Sequence, residues 1–445
     1  MSIPLNQIYN YLDKINNEIY NDCILIYRFW PHGSKNIEDL HGLHSWYNSL
    51  DHFARIQYAD MIVYDQEPLN FNLYQKDNVV DFICSKPNKK VNQAFDWPIT
   101  KDTSSQELEI IQLYKNLNLR YLAGNPFNVF DFSLLTHSEK NSPELAIYEK
   151  NGFVGVYWWC HAVIARDWFR YFQCVDQKKK VEKTFLIYNR AWSGTREYRL
   201  KFAELLVSSE LKEHCQTTVN PVEPELGIHY TLHKFSNTVW QPNIVLENHF
   251  PATSAASWAS ADITLSDYEA TDIEVVLETL FDDPRQQLTE KILRPIACGQ
   301  PFILASTAGS LEYLRSYGFK TFDDIWNEQY DSVVDAEERL VSIVDLMRHI
   351  STWDLETKTK KMAQAQAIAD YNKKLFFSDE WQEGIFAEYK RNLSEAMKIM
   401  TANITAANTR KLQKIKPDSE VSADRIEIRR KMLEIADKVR EKFAQ

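Results

Sequence analysis

The sequence predicts an α/β protein built on parallel β-sheets. Short apolar runs with the length of buried strands alternate with segments of helical periodicity along most of the chain. The clearest example is residues 273–322, where an apolar run, a polar loop, an amphipathic helix, a short strand and a second helix follow one another. The chain of 445 residues is also too long for one small core. Two domains of about 150–200 residues each are therefore expected.

The first predicted domain spans residues 1–175 and is rich in strands, with helical segments such as residues 105–117 between them. Continuous apolar runs bounded by polar residues are typical of strands that are buried on both faces of a sheet. The predicted strands are residues 23–29, 61–64, 79–84, 130–135 and 152–159.

The second predicted domain spans residues 184–378, after a charged linker at 176–183 that has no core-facing apolar pattern. A helical C-terminal extension with a basic tail is expected at 379–445. The predicted strands of this domain are residues 184–188, 244–246, 262–265, 275–280 and 301–304. One helix is predicted at residues 196–206, and another begins near residue 289. Further helices are predicted at residues 335–349, 355–377, 379–401 and 423–443.

Charge and cysteine usage narrow the function classes. The net charge of −11 opposes a protein-wide nucleic-acid footprint, although residues 401–445 carry 11 Lys/Arg against 7 Asp/Glu. Six scattered cysteines without a C-x-x-C pair predict that the protein lies in a reducing cytoplasm. No signal peptide and no apolar run of about 18 residues is visible, so no membrane span is expected.

A phosphate-binding loop is predicted where the strand at 184–188 runs into the next helix. Guanidinium groups bind phosphate through two parallel hydrogen bonds, a glycine allows close backbone approach, and a threonine can cap the helix. The alternative is an ordinary capped helix whose arginines pair with surface carboxylates. The residues assigned to the loop are Arg190, Ser193, Gly194, Thr195 and Arg196.

A second binding element is predicted at the helix that opens with Thr289, Glu290 and Lys291. A helix N-terminus favours an anion, a carboxylate can bind ribose hydroxyls, and an ammonium can bind phosphate. Glu278, at the end of the preceding strand, is assigned to the same site. An ordinary helix with Thr289 as its N-cap is the alternative.

Three residues are candidate general bases for an acceptor hydroxyl. Asp65 and Glu67 follow a predicted strand beside Pro68, and His161 follows another strand. Each is equally able to be a turn or capping residue. No H-E-x-x-H, Asp-x-Asp or glycine-rich nucleotide loop occurs, so neither a metal site nor a dinucleotide cofactor is expected.

Two sets of motifs carry a resemblance. The segments LTEK (288–291) and IACGQPFIL (296–304) resemble the donor-binding segment of fucosyltransferase-like GT-B glycosyltransferases. The segments YDQEPL, HSEKNS, NRAWSGTREYRL and LEYLRSYGFKTF resemble glycosyltransferase-like proteins of tailed bacteriophages, over most of residues 20–330. The sequence ETLF (278–281) departs from the Glu-Asn-containing strand of fucosyltransferases, which leaves the sugar and the nucleobase open.

The resemblance implies a GT-B fold, with two Rossmann-like domains facing a cleft and a nucleoside-diphosphate sugar bound on the second. Glu290 would bind the ribose and Lys291 the diphosphate, without a metal. The expected activity is sugar transfer to an acceptor hydroxyl, with 5-hydroxymethylated pyrimidine in double-stranded phage DNA as the favoured acceptor. The alternatives are a glycan, lipid or protein acceptor, or a non-catalytic binding protein on the same scaffold.

Overall fold

A computed structural model describes residues 23–28, 60–65, 133–150, 153–175, 177–224, 226–250 and 263–414. The chain divides into two compact units. The first unit comprises residues 1–138, 142–160 and 386–445, and the second comprises residues 139–141 and 161–385. Both are mixed α/β structures with parallel strands, as the sequence predicts, and within the described residues each unit has one four-stranded sheet.

The sheet of the first unit has its strands in chain order: β1 (Cys23–Arg28), β2 (Asp60–Asp65), β3 (Ser133–His137) and β4 (Phe153–Tyr157). All three pairings are parallel. Helix α1 (Pro143–Lys150) connects β3 to β4. The later part of a C-terminal helix also belongs to this unit, because Asn392 donates a hydrogen bond of 2.8 Å to the Tyr157 carbonyl.

The sheet of the second unit is formed by β5 (Lys183–Asn189), β6 (Cys215–Val219), β7 (Thr271–Leu277) and β8 (Phe302–Ala305). Its strand order is β6-β5-β7-β8, and every pairing is parallel. From β5 the chain first moves outward to β6, and it later returns to place β7 on the other side of β5. The direction of winding therefore reverses between β5 and β7.

Helices cover both faces of this second sheet. Helix α2 (Cys160–Phe169) precedes β5, α3 (Tyr198–Ser208) joins β5 to β6, and α4 (Leu265–Glu269) leads into β7. Helix α5 (Glu290–Cys298) joins β7 to β8, and α6 (Ser310–Ser316) follows β8. Right-handed crossovers that run in opposite directions place their helices on opposite faces, so α3 and α5 lie on different faces.

Three longer helices complete the described chain: α7 (Ala336–Ser351), α8 (Leu355–Phe376) and α9 (Asp379–Lys414). Helix α7 packs against α3, and α8 packs against α5. Asp335 and Asp354 cap the starts of α7 and α8, because their side chains accept hydrogen bonds from backbone N–H groups of the first turn. These caps explain why the predicted helix starts at 335 and 355 agree with the structure.

Most of the predicted elements are confirmed with shifts of a few residues. Two predicted strands of the second domain are wrong. Residues 244 and 245 lie outside any strand and a 3₁₀ turn begins at Leu246, and helix α4 begins at Leu265, where the 262–265 strand was expected to end. Strand β6 was missed because its sequence, CQTTV, is mostly polar and partly exposed. The predictions at 79–84, 105–117 and 423–443 lie outside the described residues.

The structure divides the chain differently from the predicted domains. Residues 177–183 of the expected linker at 176–183 pack in the second unit, where the Lys180 and Glu182 N–H groups donate to the Glu269 and Ala270 carbonyls at 2.8 Å. The Lys179 ammonium donates to the Tyr268 and Thr271 carbonyls, which explains why this charged segment is ordered against α4. Residues 161–175 also belong to the second unit, and α9 continues past the expected end at 401.

Candidate functional site

The second unit has a topological switch point between β5 and β7. In open parallel sheets, the loops that leave neighbouring strands in opposite directions form a crevice at the carboxyl edge, and ligands bind there. The two loops are residues 190–197, after β5, and residues 278–289, after β7. Of the twelve residues predicted for the site, nine lie in these loops or in the first turn of α5.

A buried arginine and a tyrosine join the two loops. The Arg199 guanidinium donates to the Ala191 carbonyl at 2.6 Å on one side, and to the Leu277 and Glu278 carbonyls at 2.6 and 3.1 Å on the other. The Tyr198 hydroxyl donates to the Glu278 carbonyl at 2.8 Å. Burial lowers the pKa of Arg199 and raises that of Tyr198. These two side chains bind the backbone on both sides of the crevice and set the spacing between the loops.

The predicted phosphate loop forms a 3₁₀ turn at Gly194–Arg196. Gly194 has a φ of 64° and is exposed, and the Arg196 Nε donates to the Ser193 carbonyl at 3.2 Å. Ser193 is buried, whereas Arg190 and Arg196 are half-buried at the surface of the loop. The expectation that Thr195 caps the helix is wrong: Thr195 lies inside the 3₁₀ turn, and α3 starts three residues later, at Tyr198, with Glu197 at the N-cap position.

Glu278 has a role that the sequence did not predict. Its carboxylate is fully buried and accepts hydrogen bonds from the Thr289 N–H at 3.0 Å and the Ile292 N–H at 3.3 Å. It also accepts from the Thr289 hydroxyl at 2.6 Å and from the Thr279 N–H at 3.2 Å. The Glu278 carboxylate therefore occupies the anion position at the N-terminus of α5, which the sequence had suggested for a ligand.

Thr289 is the N-cap of α5, as the alternative to a donor-binding role had it, since its hydroxyl accepts from the Lys291 N–H at 3.3 Å. The Lys291 ammonium reaches the same hydroxyl and that of Thr279, each at 3.2 Å. It lies 2.9 Å from one carboxylate oxygen of Glu290, and its side chain is 17% exposed. Lys291 is thus held at the surface of the loop after β7 by three oxygen partners.

His161 is the one candidate base whose side chain the structure describes, and it lies beside Glu290. The His161 Nδ1 is 3.3 Å from the second carboxylate oxygen of Glu290, and the two side chains are only 8% and 4% exposed. The sequence had placed these residues in different domains. The structure brings His161, at the start of α2, next to Glu290 and Lys291, at the start of α5.

The other two candidate bases are not placed at this site. Asp65 is the last residue of β2, at the carboxyl edge of the first unit's sheet, and its side chain is outside the described set. Glu67 lies outside the described residues. Their predicted role as general bases stays a prediction.

A segment that the sequence analysis did not single out crosses the switch point. We call residues 233–240 the crossing segment. On the β5 side, the Glu197 carboxylate accepts from the Ser236 N–H at 2.9 Å and from its hydroxyl at 2.6 Å, and lies 2.8 Å from the His233 Nε2. On the β7 side, the Asp282 carboxylate accepts from the Asn237 amide and the Trp240 indole, each at 3.2 Å. The sequence feature that could have pointed to the crossing segment is the long stretch without helical or strand periodicity after residue 219, since long loops in compact domains are often functional.

Residues 139–141 complete the loop after β7 from a distant part of the sequence. Lys140 and Gln286 exchange two backbone hydrogen bonds, of 2.9 and 3.2 Å. The Lys140 ammonium lies 4.1 Å from the centre of the Tyr313 ring, and the buried Glu139 carboxylate lies 3.5 Å from the Arg285 guanidinium. These contacts fix the polar loop 282–289, so its conformation does not depend on local sequence alone.

Within the described residues, no group of three or more His, Cys, Asp or Glu side chains is arranged to hold a metal ion. In the same part of the chain, no helix combines the length and the apolar character that crossing a bilayer requires.

When the chain is compared with known proteins, no protein-family model, no curated protein and no solved structure matches it. The likeness to glycosyltransferases therefore stays a prediction that depends on the motifs quoted above and on the geometry of this crevice.

Proposed function

We propose that the protein is a glycosyltransferase that moves a sugar from a nucleoside-diphosphate sugar to an acceptor hydroxyl. The single observation that carries the proposal is the position of Lys291, beside the switch point between β5 and β7. Crevices of this kind bind nucleotides in open α/β sheets. Lys291 is the residue that the Thr-Glu-Lys motif assigns to the donor phosphate.

The cationic side chains around the crevice fit a diphosphate leaving group. Lys291 lies on the β7 side, and Arg190 and Arg196 lie in the loop on the β5 side. Negative charge grows on the diphosphate as the glycosidic bond breaks, and positioned cations stabilise that charge in the transition state. A candidate base such as His161 would accept the proton of the attacking hydroxyl. This assignment needs no metal on the diphosphate.

The finer fold assignment belongs to the same proposal. Two units, each with a four-stranded parallel sheet, are the building blocks expected of a GT-B enzyme. We infer that the second unit is the donor-binding domain and the first is the acceptor domain.

A binding experiment tests the donor site. The purified protein is titrated by calorimetry with UDP-, GDP-, dTDP- and CMP-sugars, with and without EDTA, and the experiment is repeated with Lys291→Ala and Lys358→Ala. Lys358 pairs with Asp272 at 2.8 Å, near the amino end of β7, so it is a matched control for the loss of one lysine. Lys291→Ala should weaken binding at least about tenfold, since a charge-assisted hydrogen bond contributes about 1.5–3 kcal/mol. EDTA and Lys358→Ala should change little.

Two outcomes would contradict the donor site: no nucleotide sugar binds the native protein, or Lys358→Ala weakens binding as much as Lys291→Ala does. Either would favour a non-catalytic protein on this scaffold.

For the acceptor, we propose hydroxymethylated DNA, on the strength of the phage-like motifs and the basic composition of residues 401–445. Radiolabelled sugar transfer to a 5-hydroxymethylcytosine duplex, compared with an unmodified duplex, tests this directly. Transfer should require the hydroxymethyl group and should fall steeply between about 50 and 200 mM salt, because phosphate contacts release counterions. Transfer that ignores both the base and the salt would point to a glycan, lipid or protein acceptor.

A further inference from the structure

We infer that Glu290 is a positioning residue, which orients Lys291 and His161, and that it does not bind the donor ribose. This inference rests on the proposed function and changes one of its assignments, because the motif alone gives Glu290 to the ribose. The two carboxylate oxygens of Glu290 face two different residues, the Lys291 ammonium at 2.9 Å and the His161 Nδ1 at 3.3 Å.

Burial is the first argument. The Glu290 side chain is 4% exposed, whereas that of Lys291, its neighbour in the same helical turn, is 17% exposed. A ribose-binding carboxylate must offer an oxygen to two hydroxyl groups of the ligand. Glu290 offers almost no surface for that contact unless its side chain first moves. Moving it would separate a buried charge from its partners, which is unfavourable in a low-dielectric environment.

The partners give the second argument. One oxygen of Glu290 is 2.9 Å from the Lys291 ammonium, and the other is 3.3 Å from the His161 Nδ1. The carboxylate therefore lies between a group suited to bind phosphate and a group suited to accept a proton. Residues that orient catalytic histidines commonly face one ring nitrogen and leave the other for the substrate. Here the Nδ1 lies 3.3 Å from the carboxylate without the geometry of a hydrogen bond, so it is the negative charge of the carboxylate that favours a proton on Nδ1.

Electrostatics makes the two roles of Glu290 distinguishable. If Glu290 binds ribose, its loss must weaken nucleotide binding and must abolish the preference for ribose over deoxyribose. If Glu290 is a positioning residue, its loss removes a negative charge from beside an anion site, so a diphosphate should bind as well as before or more tightly. Lys291 would stay near its present position, because the hydroxyl groups of Thr279 and Thr289 still accept its hydrogen bonds.

The test compares the native protein with Glu290→Gln, which keeps the size of the side chain and removes its charge. Glu356→Gln is the matched control, since Glu356 is an exposed residue in the first turn of α8. Calorimetry measures the dissociation constants of UDP and GDP and of their 2′-deoxy and 3′-deoxy forms. Nitrogen-15 NMR measures the tautomer of His161, with the resonance assigned from its loss in His161→Gln.

We expect three results for Glu290→Gln. The affinity for the ribonucleotide is unchanged or a few-fold higher, and the preference for ribose over either deoxyribose stays within about twofold of the native value. The fraction of neutral His161 with its proton on Nδ1 falls several-fold. Glu356→Gln leaves all three quantities at their native values.

Two results would overturn the inference while leaving the proposed function intact. One is weaker ribonucleotide binding in Glu290→Gln together with equal affinity for ribose and deoxyribose forms. The other is an unchanged His161 tautomer. Failure of the native protein to bind any nucleotide would instead refute the proposed function, and the His161 tautomer would still report whether Glu290 orients that ring.

Discussion

Replacing Glu278 by alanine should destabilise the second unit without any ligand being present. Glu278 follows β7 and is fully buried, and its carboxylate accepts four hydrogen bonds from Thr279, Thr289 and Ile292. Two of them come from the N–H groups of Thr289 and Ile292, which are themselves buried at the start of α5. The substitution removes the acceptor of both groups and leaves them inside the protein.

The expected magnitude follows from these contacts. A buried donor that loses its acceptor costs about 1–3 kcal/mol, so two such donors cost about 4 kcal/mol in the free energy of unfolding. The loss of the negative charge at the N-terminus of α5 acts in the same direction, by about 0.3–1 kcal/mol. For a domain of 150–250 residues, 1 kcal/mol shifts Tm by roughly 2–4 °C, so Tm should fall by roughly 8–16 °C.

Urea denaturation followed by circular dichroism gives the free energy of unfolding, and Glu278→Gln is the matched variant. Its amide oxygen can still accept from the Thr289 and Ile292 N–H groups, so it should cost about 1–2 kcal/mol, clearly less than the alanine. If both variants stay within about 1 kcal/mol of the native protein, the start of α5 is not held by Glu278. That result would return Glu278 to the donor-binding role that the sequence suggested.

Two further predictions concern other parts of the second unit. Gly309→Ala should lower the free energy of unfolding by about 2–3 kcal/mol, because Gly309 has a φ of 80° and an added Cβ would lie 2.5 Å from the Gln286 amide. Gly194 has a φ of 64° but open space around it, so Gly194→Ala should lower the same free energy by only about 1 kcal/mol in the same urea assay. Burial raises the pKa of Glu328 to about 7, so its folded-state pKa lies above the unfolded value and its stabilising contribution is present at low pH and is lost as the pH rises through about 7. The Glu328→Gln side chain can still accept from the Phe322 N–H but does not titrate. Between pH 4 and pH 8, the free energy of unfolding of this variant should therefore rise by on the order of 2–3 kcal/mol relative to that of the native protein. A difference between the two proteins that does not change with pH would refute this reasoning.

The sequence allowed the centre of the second unit to be predicted because its signals there are local. Thr289 before Glu290 marks a helix start, Gly299 marks its end with a φ of 70°, and four consecutive buried residues form β8 after it. Each of these signals determines the backbone structure of residues that lie only a few positions away in the sequence. The alternation of strands and helices also predicted the parallel pairing of the strands.

The remaining features depend on contacts between distant residues, which a single sequence does not reveal. The polar strand β6 forms because β5 offers it an open edge to pair with, and not because of its own composition. The crossing segment is held by Glu197 and Asp282, which are 85 positions apart and have no motif in common. His161 and Glu290 are likewise far apart in the sequence, so their contact had no local signal.

The Glu278 carboxylate changes how an anion can bind at this crevice. Many nucleotide sites use the N-terminus of a helix, where the N–H groups of the first turn point at a phosphate. In this protein Glu278 accepts from the N–H groups of Thr289 and Ile292, so that position already holds a negative charge. A diphosphate in the crevice would have to be bound mainly by side chains, with Lys291 on one side and the arginines of the loop after β5 on the other. Binding should therefore be more sensitive to the loss of Lys291 than it is at sites where backbone N–H groups share the charge, and this is why Lys291→Ala is the most informative substitution.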